Sequence, residues 1–175
     1  LSLLRAIITG ALTALLFTSC GPQPVDEEID GGGEAALSIE ESSIDFESYE
    51  SYKALESRER AQVRQGTEIL LEIDPAWRKF EEDLKSFSGP EELAELINTL
   101  SASIQAWKPK LQDYLRVNPD IVPGGPVDVA TQEIASSHTT DMDMIMVILN
   151  DKLAVYGTEP DVQQALTRLT QVSQM

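Results

Sequence analysis

Between positions 93 and 114, Leu93, Ile97, Leu100, Ile104, Trp107, Leu111 and Tyr114 recur at alternating intervals of four and three. On a helix this spacing gathers all seven side chains on one face, the seam by which helices of a bundle pack side by side. Gly89-Pro90 opens the segment, and Glu91 and Glu92 suit the positive end of the helix dipole. Pro109 interrupts the seam. It lacks a backbone donor and crowds the preceding turn, so the sequence predicts a kink or break near Lys108.

The flanking segments carry the same period. Asp74-Pro75 is a helix start, and Trp77, Phe80, Leu84 and Phe87 follow on one face. Asn118-Pro119 through Gly124-Gly125-Pro126 reads as a loop. A single helix is predicted from Val127 to Tyr156, with Ile134, His138, Met142, Ile145, Met146, Leu149, Leu153 and Tyr156 on its inner face and Gly157 as its stop. Thr158-Glu159-Pro160-Asp161 then starts a last helix with the stripe Val162, Ala165, Leu166, Leu169 and Val172. Residues 43–65 are weaker: Phe46, Tyr49, Tyr52 and Leu55 can line a helix, and Gly66 separates them from the apolar run Ile69–Ile73. That run fits a helix end better than a strand, because no second strand exists to pair with it. The expected fold is all-α, an antiparallel bundle of four or five helices over residues 43–175.

Cysteine occurs once, at Cys20, so no intramolecular disulfide can form and the fold must rest on burial. Residues 6–17 are nearly all apolar, too short to cross a bilayer, and Arg5 precedes them. Phe17-Thr18-Ser19-Cys20 resembles the lipobox of bacterial lipoproteins. The resemblance covers about 20 residues and implies a signal peptide over residues 1–19 and a mature chain beginning at Cys20. It further implies a diacylglyceryl thioether on Cys20 and an acyl chain on its amine. At about 0.8 kcal/mol per buried CH₂, two or three such chains hold a protein firmly to a membrane. In that family an Asp after the cysteine tends to retain the protein in the inner membrane. Gly21 therefore implies an outer-membrane anchor, facing the periplasm or the cell surface. The alternative is a plain signal peptide cut near Ser19, leaving a free thiol.

Removal of residues 1–19 leaves 12 bases against 30 acids, a balance of −18. Such a surface repels phosphate backbones, which excludes nucleic acid as a partner. Residues 21–52 hold no Lys or Arg and ten acids, with Pro22, Pro24 and Gly31-Gly32-Gly33 among them. Like charges with Gly and Pro and little apolar content favour disorder. Residues 20–42 therefore read as a lipidated cysteine and an acidic flexible tether, averaging about 25 Å end to end at about 5–6 Å times the square root of its length.

Candidate chemistry concentrates around His138. On one continuous helix, His138, Met142 and Met146 fall at successive i, i+4 positions. One imidazole and two thioethers can hold Cu(I), while the same stripe also serves as ordinary core filling. The chain lacks a Cys-x-x-Cys-His haem motif, and its single histidine excludes a pair of Glu-x-x-His di-iron motifs. No EF-hand loop occurs; Asp120 and Asp128 read as turn and cap residues. The folded part has no cysteine nucleophile, and Ser136 and Ser137 sit in no strand-to-helix elbow. Trp77 and Trp107 fall on inner faces and read as core anchors rather than sugar platforms. The residues thus point away from an enzyme. They point to a lipid-anchored envelope protein whose helical domain binds another protein, with no cofactor beyond the acyl chains. A copper-handling protein using His138, Met142 and Met146 is the alternative.

Overall fold

The computed structural model describes residues 44–173. The signal segment, Cys20 and the tether lie outside the described residues. A 3-10 turn at Phe46–Ser48 leads to the one-turn helix α1 (Glu50–Lys53), then α2 (Ser57–Glu72), α3 (Asp74–Leu84) and α4 (Pro90–Val117). After the loop come α5 (Pro126–Ser136), α6 (Met142–Tyr156) and α7 (Pro160–Ser173). No strand occurs among the described residues. The described residues form an all-α bundle, with six helices of 11 residues or more among them where four or five were expected.

The long helix α4 is the axis of the fold. Its 28 residues span about 42 Å at 1.5 Å per residue. All seven seam residues are buried, and α7 lies along α4 in the most extensive helix pairing of the molecule. Val162, Ala165 and Leu169 of α7 are buried against it, and Leu166 and Val172 are half-buried. The small residues Ala94 and Ser101 on α4 and Ala165 on α7 are also buried, which suits close approach of the two backbones. Ile73, between α2 and α3, and Phe80 and Leu84 of α3 join the same core. Trp107 anchors α4 to α2, its ring Nε1 donating to the Ile69 carbonyl at 2.7 Å.

The break that Pro109 could have caused near Lys108 does not occur: one helix runs from Pro90 to Val117 with Pro109 inside it. An interior proline costs about 3 kcal/mol. Beyond it, Leu111 and Tyr114 are 4 % and 6 % exposed, and Trp107 before it 6 %. Burial of large apolar side chains contributes about 1.5–3 kcal/mol each, so the seam outweighs the lost hydrogen bond. Pro109 itself is exposed.

Gly66 does not separate two elements either. It lies inside α2. A Cβ there would stand 2.8 Å from the Tyr114 hydroxyl and 3.1 Å from Thr131 Cγ2. The glycine marks the point where α2 passes α4 and α5 too closely for a side chain. The run Ile69–Ile73 continues α2 as a helix end. Ile73 alone separates α2 from α3, and its carbonyl accepts from both Ala76 and Trp77. Pro75 in the first turn of α3 supplies no donor there.

A second, smaller core forms where the N-terminal residues cross the far ends of α2 and α5. Tyr52, Leu55, Val63, Val127, Ala130 and Ile134 are buried together, with Ile44, Phe46 and Tyr49 against them. The described part of that weak segment, residues 44–65, is thus part of the folded body, a strap of one 3-10 turn and one α-turn followed by the first turns of α2.

The predicted helix Val127–Tyr156 is two helices. The polar run Ser136-Ser137-His138-Thr139-Thr140-Asp141 breaks it. Ser and Thr side chains compete with the backbone ladder: Ser136 and Ser137 Oγ both donate to the Glu133 carbonyl. Asp141 then caps α6, accepting from the Asp143 and Met144 N–H groups at 3.0 and 3.3 Å. Buried Asp74 fixes the turn from below. Its Oδ1 accepts from Thr140 N–H at 2.5 Å and Thr140 Oγ1 at 2.8 Å, and its Oδ2 from Arg78 Nε at 2.6 Å.

Candidate functional site

The break after α5 dissolves the helical His-Met stripe. His138 lies in the turn between α5 and α6, while Met142 and Met146 lie in the first turns of α6. The i, i+4 register that would align His138 with the two sulfurs required one helix, and Asp141 starts a new one. His138 Nε2 instead pairs with the Tyr49 hydroxyl at 3.2 Å, and its carbonyl accepts from Arg78 Nη2 at 3.5 Å. The ring ties the turn to the N-terminal strap. Met142 and Met146 are half-buried against the main core, so packing accounts for both sulfurs. Among the described residues no group of three His, Cys, Asp or Glu converges as a metal site. Cys20 lies outside the described residues. Trp107 is the core anchor its spacing predicted; Trp77 is half-buried.

Two other features stand out. The first is a partly open cavity of about 100 Å³ lined by α2, α3, α4, α5 and the start of α6. Its wall is chiefly apolar and aromatic, with Leu70, Trp77, Trp107, Leu111 and Tyr114 prominent. Asp74 and Asp128 are the charged residues of that wall. Asp128 is 4 % exposed. Its Oδ2 accepts from the Gly124 N–H at 2.7 Å and its Oδ1 from Gln132 Nε2 at 2.8 Å. The first bond closes the loop before α5, where Gly124 has φ 75°, a left-handed conformation that favours glycine. Asp128 is thus the turn residue its position suggested, and Asp120 accepts from Gln62 Nε2 beside it. The Tyr114 hydroxyl donates to the Gln62 carbonyl at 2.9 Å. Burial, then the negative charges of Asp128 and Asp120, push its phenol up to about 12.

The second feature is the outward face of α6. Its sequence, Met142-Asp143-Met144-Ile145-Met146-Val147-Ile148-Leu149, is apolar almost all round. Ile145 and Leu149 are buried. On the opposite side Met144, Val147 and Val155 are 54 %, 61 % and 66 % exposed. They follow one another at helical spacing, with Asp151 between Val147 and Val155 and Asp143 beside Met144. A helix that is apolar all round belongs inside something. From residue 117 to residue 151 the chain has no Lys or Arg, and it carries Asp120, Asp128, Glu133, Asp141, Asp143 and Asp151. The α6 face is an apolar stripe with the exposed acids Asp143 and Asp151 at its margin, while the half-buried Lys152 of the same helix lies over the Phe87 ring. Position-by-position reading of inner-face residues missed it, although the signal was present: the segment has no polar face to turn outward.

No described helix is long and apolar enough to cross a membrane. No family model matches the chain, and neither a curated protein nor a solved structure is similar to it.

Proposed function

We propose that this chain is a lipid-anchored bacterial envelope protein, non-enzymatic, whose helical body holds a partner protein on the outward face of α6. The anchor is Cys20, carrying diacylglycerol and an N-acyl chain, and residues 20–42 are the leash. The observation that carries the binding role is the exposure of Met144, Val147 and Val155 on a helix whose first two turns hold a single charged residue, Asp143. Exposed apolar patches of this kind mark interaction surfaces. The acidic margin and the formal charge of −17 for the whole chain define the partner by complementarity: an apolar groove or helix face rimmed by Lys and Arg. Helix-in-groove recognition has this form. An acidic coat resists self-association of the same face, which favours a different protein over a second copy.

The test has two arms. Intact-mass analysis of the mature protein is expected to show acylated Cys20 as its first residue; an unmodified start elsewhere overturns the anchor. A Met144→Glu, Val147→Glu double variant is expected to lose a partner that co-purifies stoichiometrically with the wild type from detergent-solubilised envelopes. Retention of that partner, or recovery of the wild type alone, overturns the binding role.

A further inference from the structure

The cavity has a chemistry of its own. Its volume of about 100 Å³ approaches that of apolar cavities of about 150 Å³ that accept benzene. Trp77 and Trp107 supply large flat faces, and Leu70, Ile104 and Leu111 complete an apolar chamber. The buried polar side chains of the wall are all engaged within the protein. Trp107 Nε1 donates to the Ile69 carbonyl, the Tyr114 hydroxyl to the Gln62 carbonyl, and Thr131 Oγ1 to the Val127 carbonyl. Asp74 holds Arg78 and Thr140. Asp128 accepts from Gly124 and Gln132 and is engaged beyond these two. What the wall offers an occupant is therefore carbon surface, which favours a molecule with apolar area to bury. A charged occupant would lose its hydration and find both carboxylates already partnered.

We propose that this cavity binds a small neutral apolar molecule, of about the size of one ring, held against the indoles of Trp77 and Trp107. The cavity is partly open, which gives the molecule a way in. The binding needs no hydrogen bond from the wall, because none of its buried polar side chains is left to make one. The proposal is independent of the α6 face and of the lipid anchor.

Titration with toluene, benzylammonium and benzoate tests this, because the three share a ring and differ in charge. Both tryptophans of the chain line the cavity, so their emission reports its occupancy, with calorimetry as the second readout. Toluene is expected to bind about tenfold or more tighter than either ion. Ala135→Leu, which fills the chamber from α5, is expected to abolish toluene binding. The Met144→Glu, Val147→Glu double variant, which alters only the outward face of α6, is expected to leave it intact. Circular dichroism identifies which variants fold. Leu115→Phe, which fills the chamber from α4, serves where Ala135→Leu does not fold, and the wild-type titrations decide even where neither does. No binding of toluene, or an ion bound as tightly as toluene, overturns the proposal. So does toluene binding that is undiminished in a folded filled variant, or lost in the folded α6-face variant.

Discussion

Helices α6 and α7 are neighbours of nearly equal length, 15 and 14 residues, and they meet the bundle in opposite ways. In α7, Val162, Ala165, Leu169 and Ser173 are buried against α4, and Gln163, Gln164 and Thr167 face water. In α6 only Ile145 and Leu149 are buried, and valine and methionine face water as well. Amphipathicity explains α7 completely: the stripe is the core contact and the rest is solvation. It does not explain α6, whose apolar content exceeds what the bundle uses. The difference separates residues that make the fold from apolar residues the fold does not use.

The contrast is broken most readily on α7. Leu169→Ala empties a site that is 3 % exposed against α4, and should cost about 2–5 kcal/mol in urea denaturation. A loss below about 1 kcal/mol would mean that the α4–α7 pairing is not the structural half of the molecule. The α2–α5 side is probed by alkali. A phenol raised from its ordinary value of 10 to about 12 keeps its full contribution below pH 10 and loses it as pH climbs through 12. At about 1.4 kcal/mol per unit, Tyr114 accounts for at most about 3 kcal/mol over that window. Tyr114→Phe should flatten that part of the stability profile, and an unchanged alkaline slope would show that another group titrates there.

A smaller effect sharpens the comparison itself. Asp74→Asn weakens the clamp on Thr140 that sets the start of α6, and is expected to cost about 1–3 kcal/mol. Amide exchange should quicken in α6 while α7 stays protected by α4. Equal quickening in both helices would refute the assignment of Asp74 to the turn. The smallest stability change belongs to the outer face: Val147→Gln should stay within about 0.5 kcal/mol of wild type, yet weaken partner binding. A large destabilisation would place Val147 in the fold rather than in an interface.

How much of this was legible in the sequence follows the same division. The seam of α4 and the stripe of α7 were readable because a 4-3 period repeated several times has one good solution, a buried face. The start of α3 was placed by Asp74-Pro75 to within a residue, but not for the reason the pair suggests: Ile73 occupies the cap position, and Asp74, read as an N-cap acid, makes no capping hydrogen bond and instead holds Thr140 and Arg78. Two local signals were overridden by distant contacts, and a third was present but hidden. Pro109 is tolerated because Trp107, Leu111 and Tyr114 hold the helix on both sides. Gly66 looked like a boundary, but its cause is the approach of Tyr114 and Thr131, 48 and 65 residues away. The break at 137–141 was written in Ser, Thr and Asp side chains, and the apolar period on either side concealed it. That break removed the His138-Met142-Met146 register and left a histidine bonded to Tyr49. The cavity joins residues from five helices and could not be assembled without the fold.

The central claim, that the outward face of α6 is covered by a partner in the envelope, is tested most directly by photo-crosslinking in intact cells. A crosslinking residue at Val147 and one at Thr167 on the solvent face of α7 both sample exposed helical positions. The account predicts one discrete adduct from Val147, lost when Met144 is changed to Glu, and none from Thr167. No adduct from Val147, or the same adducts from both positions, would contradict it.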